Sequence, residues 1–492
     1  MTAPDLTPDL VRDAAAYVDA WWAFRRRHSR LPGVQGALAL GGELVLESAH
    51  GLADVGTGTP VGPGTVFRVA SHSKTFTATL VHQLAERGVL RLDDTLDRWL
   101  PWTSGSAVGV AGLTLRQLLN HTSGLTRDGA DGDHWQLRRP FLDEAALQDL
   151  LADDAVVVTG PDVRFKYSNI GYALLGLVVA AATGTSWAQA VRAGVLDPLG
   201  LTSTAPDLQP GDPLAARVAT GYTSLAYADE RVPVDQVGTA AMAAATGFCS
   251  TASDLVRYLG AHADGEGPDR LLSPASRRQM QHGWWDVDGA PDESYGLGMG
   301  VTVVGGRRMV GHGGGWPGHI TRSLLDPGPG LAVSVLTNAI DGPALELAVG
   351  AVKILDLAAS PPAGATPLEG EALETARAAS GRWATLWGVQ DIALLGGRLV
   401  LLTPTLADPT SSVQELEVVD ASTLRVASGP GYASVGERMA LDRDEQGSVR
   451  GLRSGSGMST WRLEDLPLPP RVTLGSMWHR VPAAAAPTPA VD

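Results

Sequence analysis

The sequence predicts an α/β (α+β) fold, an antiparallel sheet with flanking helices and a helical region, plus a separate C-terminal antiparallel β-barrel. Three observations carry this prediction. Strand-type segments stand at both ends of the first part of the chain and enclose a helical middle, so one sheet is assembled from chain-distant parts. Ala358–Pro367, AASPPAGATP, has the composition of a linker. Beyond it lie short alternating segments separated by glycine turns, the pattern of a small barrel.

The elements follow in order. Thr7-Pro8 reads as a cap with proline at the first helical position and opens a helix toward Arg30. Gly33–Leu40 and Glu43–His50 form a hairpin around Gly41-Gly42. Thr75–Arg87 spaces Phe76, Leu80 and Leu84 on one helical face and stops before Gly88. From Leu113 to about Leu259 the chain reads as helices with long polar loops, among them a buried helix at Ile170–Ala182. Strands return at Gly298–Val304, Arg308–Gly311, Ile320–Asp326 and Leu331–Asn338, followed by a helix from Pro343 to Leu357. The barrel strands are expected at Gln390–Leu395, Arg398–Thr403, Val413–Val419, Thr423–Val426, Arg438–Leu441, Val449–Arg453 and Ser459–Leu463. The expected division is residues 1–357, a linker 358–367, a barrel 368–465 and a tail 466–492, whose Ala/Pro-rich end Pro482–Asp492 is expected to be disordered.

Composition removes several classes of function. At 492 residues with 44% hydrophobic content, the chain can build more than one core. A net charge of −15 without a basic block argues against nucleic acid and anionic membrane as partners. The single cysteine, Cys249, allows no intramolecular disulfide. Met1–Leu10 lacks the basic-then-apolar form of a secretory signal, so a cytoplasmic location is expected. No apolar run reaches the length of a membrane span. H-E-x-x-H and a P-loop are absent, and one cysteine cannot build a zinc cluster, so no metal and no cofactor is expected. Gly296-Leu297-Gly298-Met299-Gly300 lacks the spacing of a dinucleotide site.

Three short segments carry chemistry. Ser71-His72-Ser73-Lys74 sets a hydroxyl and an amine one helical turn apart at a helix start, in a chain with only three lysines (Lys74, Lys166, Lys353). The helix N-terminus also turns N–H groups toward developing negative charge. Tyr167-Ser168-Asn169 supplies a phenol and an amide that can bond a substrate carbonyl and the lysine together, while Lys166 reads as a solvated charge. Either a phenolate or a neutral lysine can take the serine proton, provided its pKa is lowered toward neutrality. Gly311-His312-Gly313-Gly314-Gly315 follows a strand and permits close approach to the backbone. Taken singly, the three also read as a capping serine, a helix cap and a glycine turn. The α/β-hydrolase reading of H-G-G-G fails, since no G-x-S-x-G occurs and the motif comes late among the strands.

Together, in the order S-x-x-K, Y-x-N and H-x-G, these segments resemble the penicillin-recognising serine hydrolases: class C β-lactamases, D-aminopeptidases, DD-peptidases and β-lactamase-like esterases. FRVASHSKTFTATL, LTLRQLLNHTSGL, GFCSTASDL and VGHGGGWPG strengthen the resemblance, which spans about Leu31–Leu357. The C-terminal part is similar to the lipocalin-like domain appended to some peptidases of this family. The resemblance implies a β-lactamase/transpeptidase-like fold, Ser71 as nucleophile, and Lys74 with Tyr167 as general base and acid. It further implies that Asn169 orients substrate, that His312 supports the tyrosine or the substrate, and that the N–H groups of Ser71 and Gly315 form an oxyanion hole. His121 and Ser123 read as structural, while His134, Trp135, Trp284, Trp285 and Trp316 lie in segments able to line a pocket. The expected function is hydrolysis of a small ester, amide or short D-amino-acid-type peptide through a Ser71 acyl-enzyme. Two alternatives stand beside it: β-lactamase or DD-peptidase activity, and a non-catalytic binding module on the same fold. H-x-G in place of K-T-G weighs against β-lactam recognition, and the complete Ser/Lys/Tyr set weighs against a pure binder. A homo-oligomer is left open.

Overall fold

In the computed structural model, residues 3–477 are described except 209, 210, 268, 363, 365, 455 and 456, so the predicted tail end Pro482–Asp492 lies outside the described residues. The chain divides into two compact units. The larger contains Trp22–Val352, and the smaller runs from Lys353 onward and also takes in Ala16–Trp21.

The larger unit is built on a nine-stranded sheet. Its N-terminal strands are β1 (Gly33–Leu40), β2 (Glu43–Asp54) and β3 (Thr59–Pro60). A short β4 (Phe67–Ala70) and the ribbon β5 (Gly221–Tyr222) and β6 (Pro233–Val234) lie outside that sheet, and β4 pairs with β7 (Phe248–Ser250). The C-terminal strands are β8 (Trp285–Val287), β9 (Ala290–Tyr295), β10 (Gly300–Val304), β11 (Arg307–Trp316), β12 (His319–Asp326) and β13 (Leu331–Thr337). The sheet order is β3-β2-β1-β13-β12-β11-β10-β9-β8, so the two chain ends meet where β1 pairs antiparallel with β13. β1 is buried along its whole length, as suits a mostly apolar strand covered on both faces, and its one polar side chain, Gln35, is satisfied by the Gly62 and Thr65 carbonyls and the Ala252 N–H. On one face the helix Pro8–His28 packs so closely that a Cβ on Gly36 would stand 2.3 Å from the Trp22 ring. The mixed apolar core includes the helices Ser73–Glu86 and Asn169–Thr183. Among the described residues, no single helix is long and apolar enough to cross a membrane.

The structure differs from the sequence expectation in several places, among them the short strands β5–β7 inside the stretch read as helices and loops, too brief for alternation to mark them. β11 does not end at Gly311 but continues through the glycines to Trp316, because pairing with β12 holds that stretch extended. The hairpin β8–β9 adds two strands that the acidic, proline-containing WDVDGAPDESY obscured; Pro291 falls outside both registered pairings and so disrupts neither. The helix Ala344–Ala359 extends past Leu357 into the stretch read as linker.

The smaller unit is a closed barrel of eight strands, β14 (Gly381–Thr385), β15 (Gly388–Leu395), β16 (Arg398–Leu402), β17 (Gln414–Asp420), β18 (Thr423–Ser428), β19 (Arg438–Arg443), β20 (Val449–Arg453) and β21 (Ser459–Arg462). Each strand pairs antiparallel with the next, and β21 returns to β14. Seven of these follow the expected segments. The eighth, β14, is five residues long and too short for alternation to reveal it, and the preceding helix Gly370–Ala379 was likewise not anticipated. That helix turns Ala376 and Ala379 into the barrel core beside Trp383.

Candidate active site

β4 delivers the chain to Ser71 through a strained corner. Ala70 has φ +43°, a left-handed conformation that costs a non-glycine residue about 1–3 kcal/mol. The corner is held from both sides: Ser73 Oγ donates to the Ala70 carbonyl at 2.6 Å and accepts from the Phe248 N–H at 3.0 Å. The helix Ser73–Glu86 begins immediately afterward, and its first turn buries Lys74 completely. Ser71 itself stays partly exposed.

Around Ser71 Oγ the polar groups converge. Lys74 Nζ lies 3.2 Å from it, and the Tyr167 hydroxyl donates to it at 2.9 Å. Lys74 Nζ also donates to Asn169 Oδ1 and to the Ala245 carbonyl, both at 2.8 Å. Asn169 is fixed because Ser168 caps its helix, accepting from the Gly171 N–H while donating to the Thr126 carbonyl. Its amide donates in turn to Asp128 Oδ1 at 2.7 Å. Burial, reinforced by the Arg127 charge, pushes the Lys74 pKa well below that of an ordinary lysine. Burial acts oppositely on Tyr167, pushing the phenol up to about 12 despite its bond to Ser71. Of the two bases considered from sequence, the site therefore favours a neutral amine over a phenolate.

The glycine strand passes alongside. Pairing between β10 and β11 ends at Gly300 with Gly311, whereas β11 stays paired to β12 as far as Trp316. A Cβ on Gly314 would stand 2.1 Å from the Val69 carbonyl, so glycine there lets β11 lie against the strand that carries Ser71. At Gly315 a Cβ would meet only Ile320 Cδ1, at 3.7 Å. His312 points to neither Tyr167 nor open space: its Nδ1 lies 2.6 Å from the Gly313 carbonyl and its Nε2 3.1 Å from the Tyr295 hydroxyl. Both ring nitrogens are thus engaged by protein atoms, which fixes the orientation of the ring. Burial and then the Lys74 charge hold the His312 pKa well below the ordinary histidine value. The chain thus has no cation at the position a K-T-G lysine occupies.

The structure brings Ser71, Lys74, Tyr167 and Asn169 into direct contact, with His312 one ring away at 6.4 Å from Tyr167. The His121 ring lies against Tyr167, centroids 4.3 Å apart and tilted by 34°, and accepts from the Ser168 N–H, a supporting place. His134, Trp135 and Trp316 gather with Phe141 in one aromatic cluster. Trp284 lies apart, half exposed and bonded to the Gln279 carbonyl, and Trp285 sits on β8. Lys166 is half-buried rather than fully solvated. Sequence reading missed Arg127, Asp128, Tyr295 and the Ala245 carbonyl. Arg127 and Asp128 stand just beyond the H-T-S-G turn, after Leu125 and Thr126, and that placement is their only signal. Arg127 lies 4.9 Å over the Tyr167 ring with a largely exposed side chain. A backbone carbonyl such as that of Ala245 leaves no mark on a sequence.

Residues 12–355 match the Beta-lactamase family. Among curated proteins, penicillin-binding protein 4 of Amycolatopsis lactamdurans is 33% identical over 66% of this chain and 85% of its own. Esterase EstB of Burkholderia gladioli is 36% identical over 41% of this chain and 55% of its own. Among solved structures, D-amino acid amidase from Ochrobactrum anthropi SV3 complexed with D-phenylalanine aligns with a TM-score of 0.58 at 26% identity, covering 70% of this chain and 98% of that one.

Proposed function

The chain belongs to the Beta-lactamase family, and from that premise we propose that it is a serine hydrolase that cleaves small ester or D-amino-acid-type amide bonds through an acyl-enzyme at Ser71. The single observation that carries this reading is the convergence of a fully buried lysine amine and a tyrosine hydroxyl on Ser71 Oγ, at 3.2 and 2.9 Å, where burial moves the lysine pKa down and the tyrosine pKa up. A neutral amine has two N–H groups, and Asn169 Oδ1 and the Ala245 carbonyl accept both. Its lone pair is left to face Ser71 Oγ and take the proton as Oγ attacks the carbonyl carbon. Negative charge on the carbonyl oxygen would fall to the N–H groups of Ser71 and Gly315. As the tetrahedral intermediate collapses, Tyr167 gives its proton to the leaving alcohol or amine and regains one from Lys74. Water then repeats the sequence on the acyl-enzyme and releases the acid. The esterase and D-amino acid amidase relatives support the ester and amide substrate classes.

Intact-mass spectrometry across activated esters, D-amino-acid amides and β-lactams tests this. Wild type should gain the acyl mass, and Ser71→Ala, which removes one oxygen, should gain none while keeping its fold. Acylation of Ser71→Ala at the wild-type rate would exclude Ser71 as nucleophile.

A second reading, β-lactamase or DD-peptidase activity, rests on Arg127. It places a largely exposed guanidinium over Tyr167, where a substrate carboxylate could be met despite the neutral His312. The penicillin-binding relative supports the same alternative.

A further inference from the structure

The closed barrel holds a cavity of about 470 Å³, within the size range of small-molecule sites, roughly 300–1,000 Å³. Its lining follows a rule. Residues two apart on a strand share a face, and four strands or their ends set an apolar side chain at depth and a neutral polar one next outward. The pairs are Trp383 with Thr385, Ile392 with Gln390, Leu401 with Thr403, and Leu452 with Ser454. Elsewhere the interior is packed by Leu399, Leu416, Leu424, Val426 and Val449. The barrel is therefore filled in one part and hollow in another, and an eight-stranded barrel has room for either side chains or one small ligand.

Two further observations point to an occupant. Large apolar side chains stand exposed beside the opening, Trp387 at 91% and Met458 at 44%, and both line the cavity. An indole so exposed beside the opening leaves apolar surface that an apolar occupant would take out of water. Second, among the described residues none that lines the cavity is ionisable. A charged ligand would lose its hydration without gaining a counter-ion, a cost of several kcal/mol, whereas a neutral polar group can exchange water for hydroxyls and the Gln390 amide.

We propose that the open end of the barrel binds a small uncharged molecule, its apolar or aromatic body against Trp383 and its ester, amide or hydroxyl end among Thr385, Thr403 and Gln390. Such a site separates a neutral ester or amide from the carboxylate its hydrolysis yields, because only the former enters without an unpaired charge. The inference stands on the barrel alone and does not depend on the chemistry at Ser71.

Indole ¹⁵N–¹H NMR of the full chain tests it, with Ser71→Ala as background so that no probe is consumed. Methyl phenylacetate, phenylacetamide and phenylacetate form a matched set of two neutral probes and one anion. Both neutral probes should shift the Trp383 and Trp387 indole signals saturably, and phenylacetate should bind at least tenfold more weakly. Thr403→Trp, which fills the cavity, should abolish those shifts, and Trp387→Ala at the exposed tip should weaken binding several-fold as read from Trp383. The absence of saturable shifts up to millimolar probe overturns the proposal. So does equal affinity for the anion, or unchanged binding when either variant, its fold checked by circular dichroism, is titrated. If Thr403→Trp does not fold, Trp387→Ala with the matched probes decides alone.

Discussion

The floor around Ser71 and the open end of the barrel both set polar groups against apolar surroundings, but on opposite electrostatic plans. At Ser71 the polar atoms are ionisable, and Lys74 is fully buried and satisfied by Asn169 and the Ala245 carbonyl. In the barrel the polar side-chain atoms are hydroxyls and one amide, and among the described residues no ionisable group lines the space. Burial of an ionisable group moves its pKa and makes it a proton carrier, whereas burial of a hydroxyl only makes it a selective partner. The first plan serves bond breaking and the second recognition. The first also needs backbone strain, present at Ala70.

The largest effects should come from breaking the first plan. Lys74→Ala and Tyr167→Phe should each lower kcat/KM for an activated ester by roughly 10²-fold or more, with the double variant little worse than either single one. Additive losses would show that the two do not act as a unit. The pH profile carries the sign of the shifts. Activity requires neutral Lys74, so kcat/KM should rise with pH through a value below about 10.4, the ordinary lysine pKa. Tyr167 stays protonated up to about 12, so it should produce no falling limb below that. A rising limb at the ordinary lysine value would contradict the reading of Lys74.

Next in size is the contact between β11 and β4. Gly314→Ala places a methyl 2.1 Å from the Val69 carbonyl and must push the two strands apart, whereas Gly315→Ala meets only Ile320 Cδ1 at 3.7 Å. Gly314→Ala should lower kcat about tenfold and lower Tm, and Gly315→Ala should melt like wild type. Equal melting of the two variants would show that β11 can yield. Tyr295→Phe should act mainly on stability. It removes the hydroxyl bonded to His312 Nε2, and a buried polar atom left unpaired costs about 1–3 kcal/mol, measurable by urea unfolding. A loss below about 0.5 kcal/mol would mean that His312 finds another partner.

How much of this was legible in the sequence follows from what each element depends on. Ser71 and Lys74 could be paired from their three-residue spacing, whereas the approach of Tyr167 and Asn169 to them was expected only from the resemblance, because no spacing joins segments 95 and 96 residues apart. The sheet ends and seven barrel strands were legible from alternation, which burial on one face enforces. Tyr295 was not, because its place depends on β9 crossing to β11 through β10, a pairing that a proline and acidic residues concealed. The engagement of His312 was hidden for the same reason, since its partner comes from that unpredicted strand. Nor could the choice between Lys74 and Tyr167 be made from sequence, because both shifts arise from burial, a property of the folded site.

The smallest expected effect on a neutral ester concerns Arg127, which decides how far the Ser71 floor shares the barrel's preference for uncharged molecules. Its side chain is 65% exposed, lies 4.9 Å over Tyr167 and sits 3.4 Å from Asp128, a loose pairing that leaves donors available to solvent. A neutral ester has no group for those donors, so Arg127→Ala should leave its kcat/KM within about threefold of wild type, as expected for an exposed charge. A cephalosporin or a peptide ending in a carboxylate could form a charge-assisted pair worth about 1.5–3 kcal/mol, and should lose roughly ten- to a hundredfold. Because His312 is buried and neutral, wild type should still prefer a short-chain nitrophenyl ester to a chromogenic cephalosporin. If instead the cephalosporin is the better substrate and Arg127→Ala abolishes that preference, the site selects carboxylates through Arg127, and the β-lactamase or DD-peptidase reading replaces the ester and amide one.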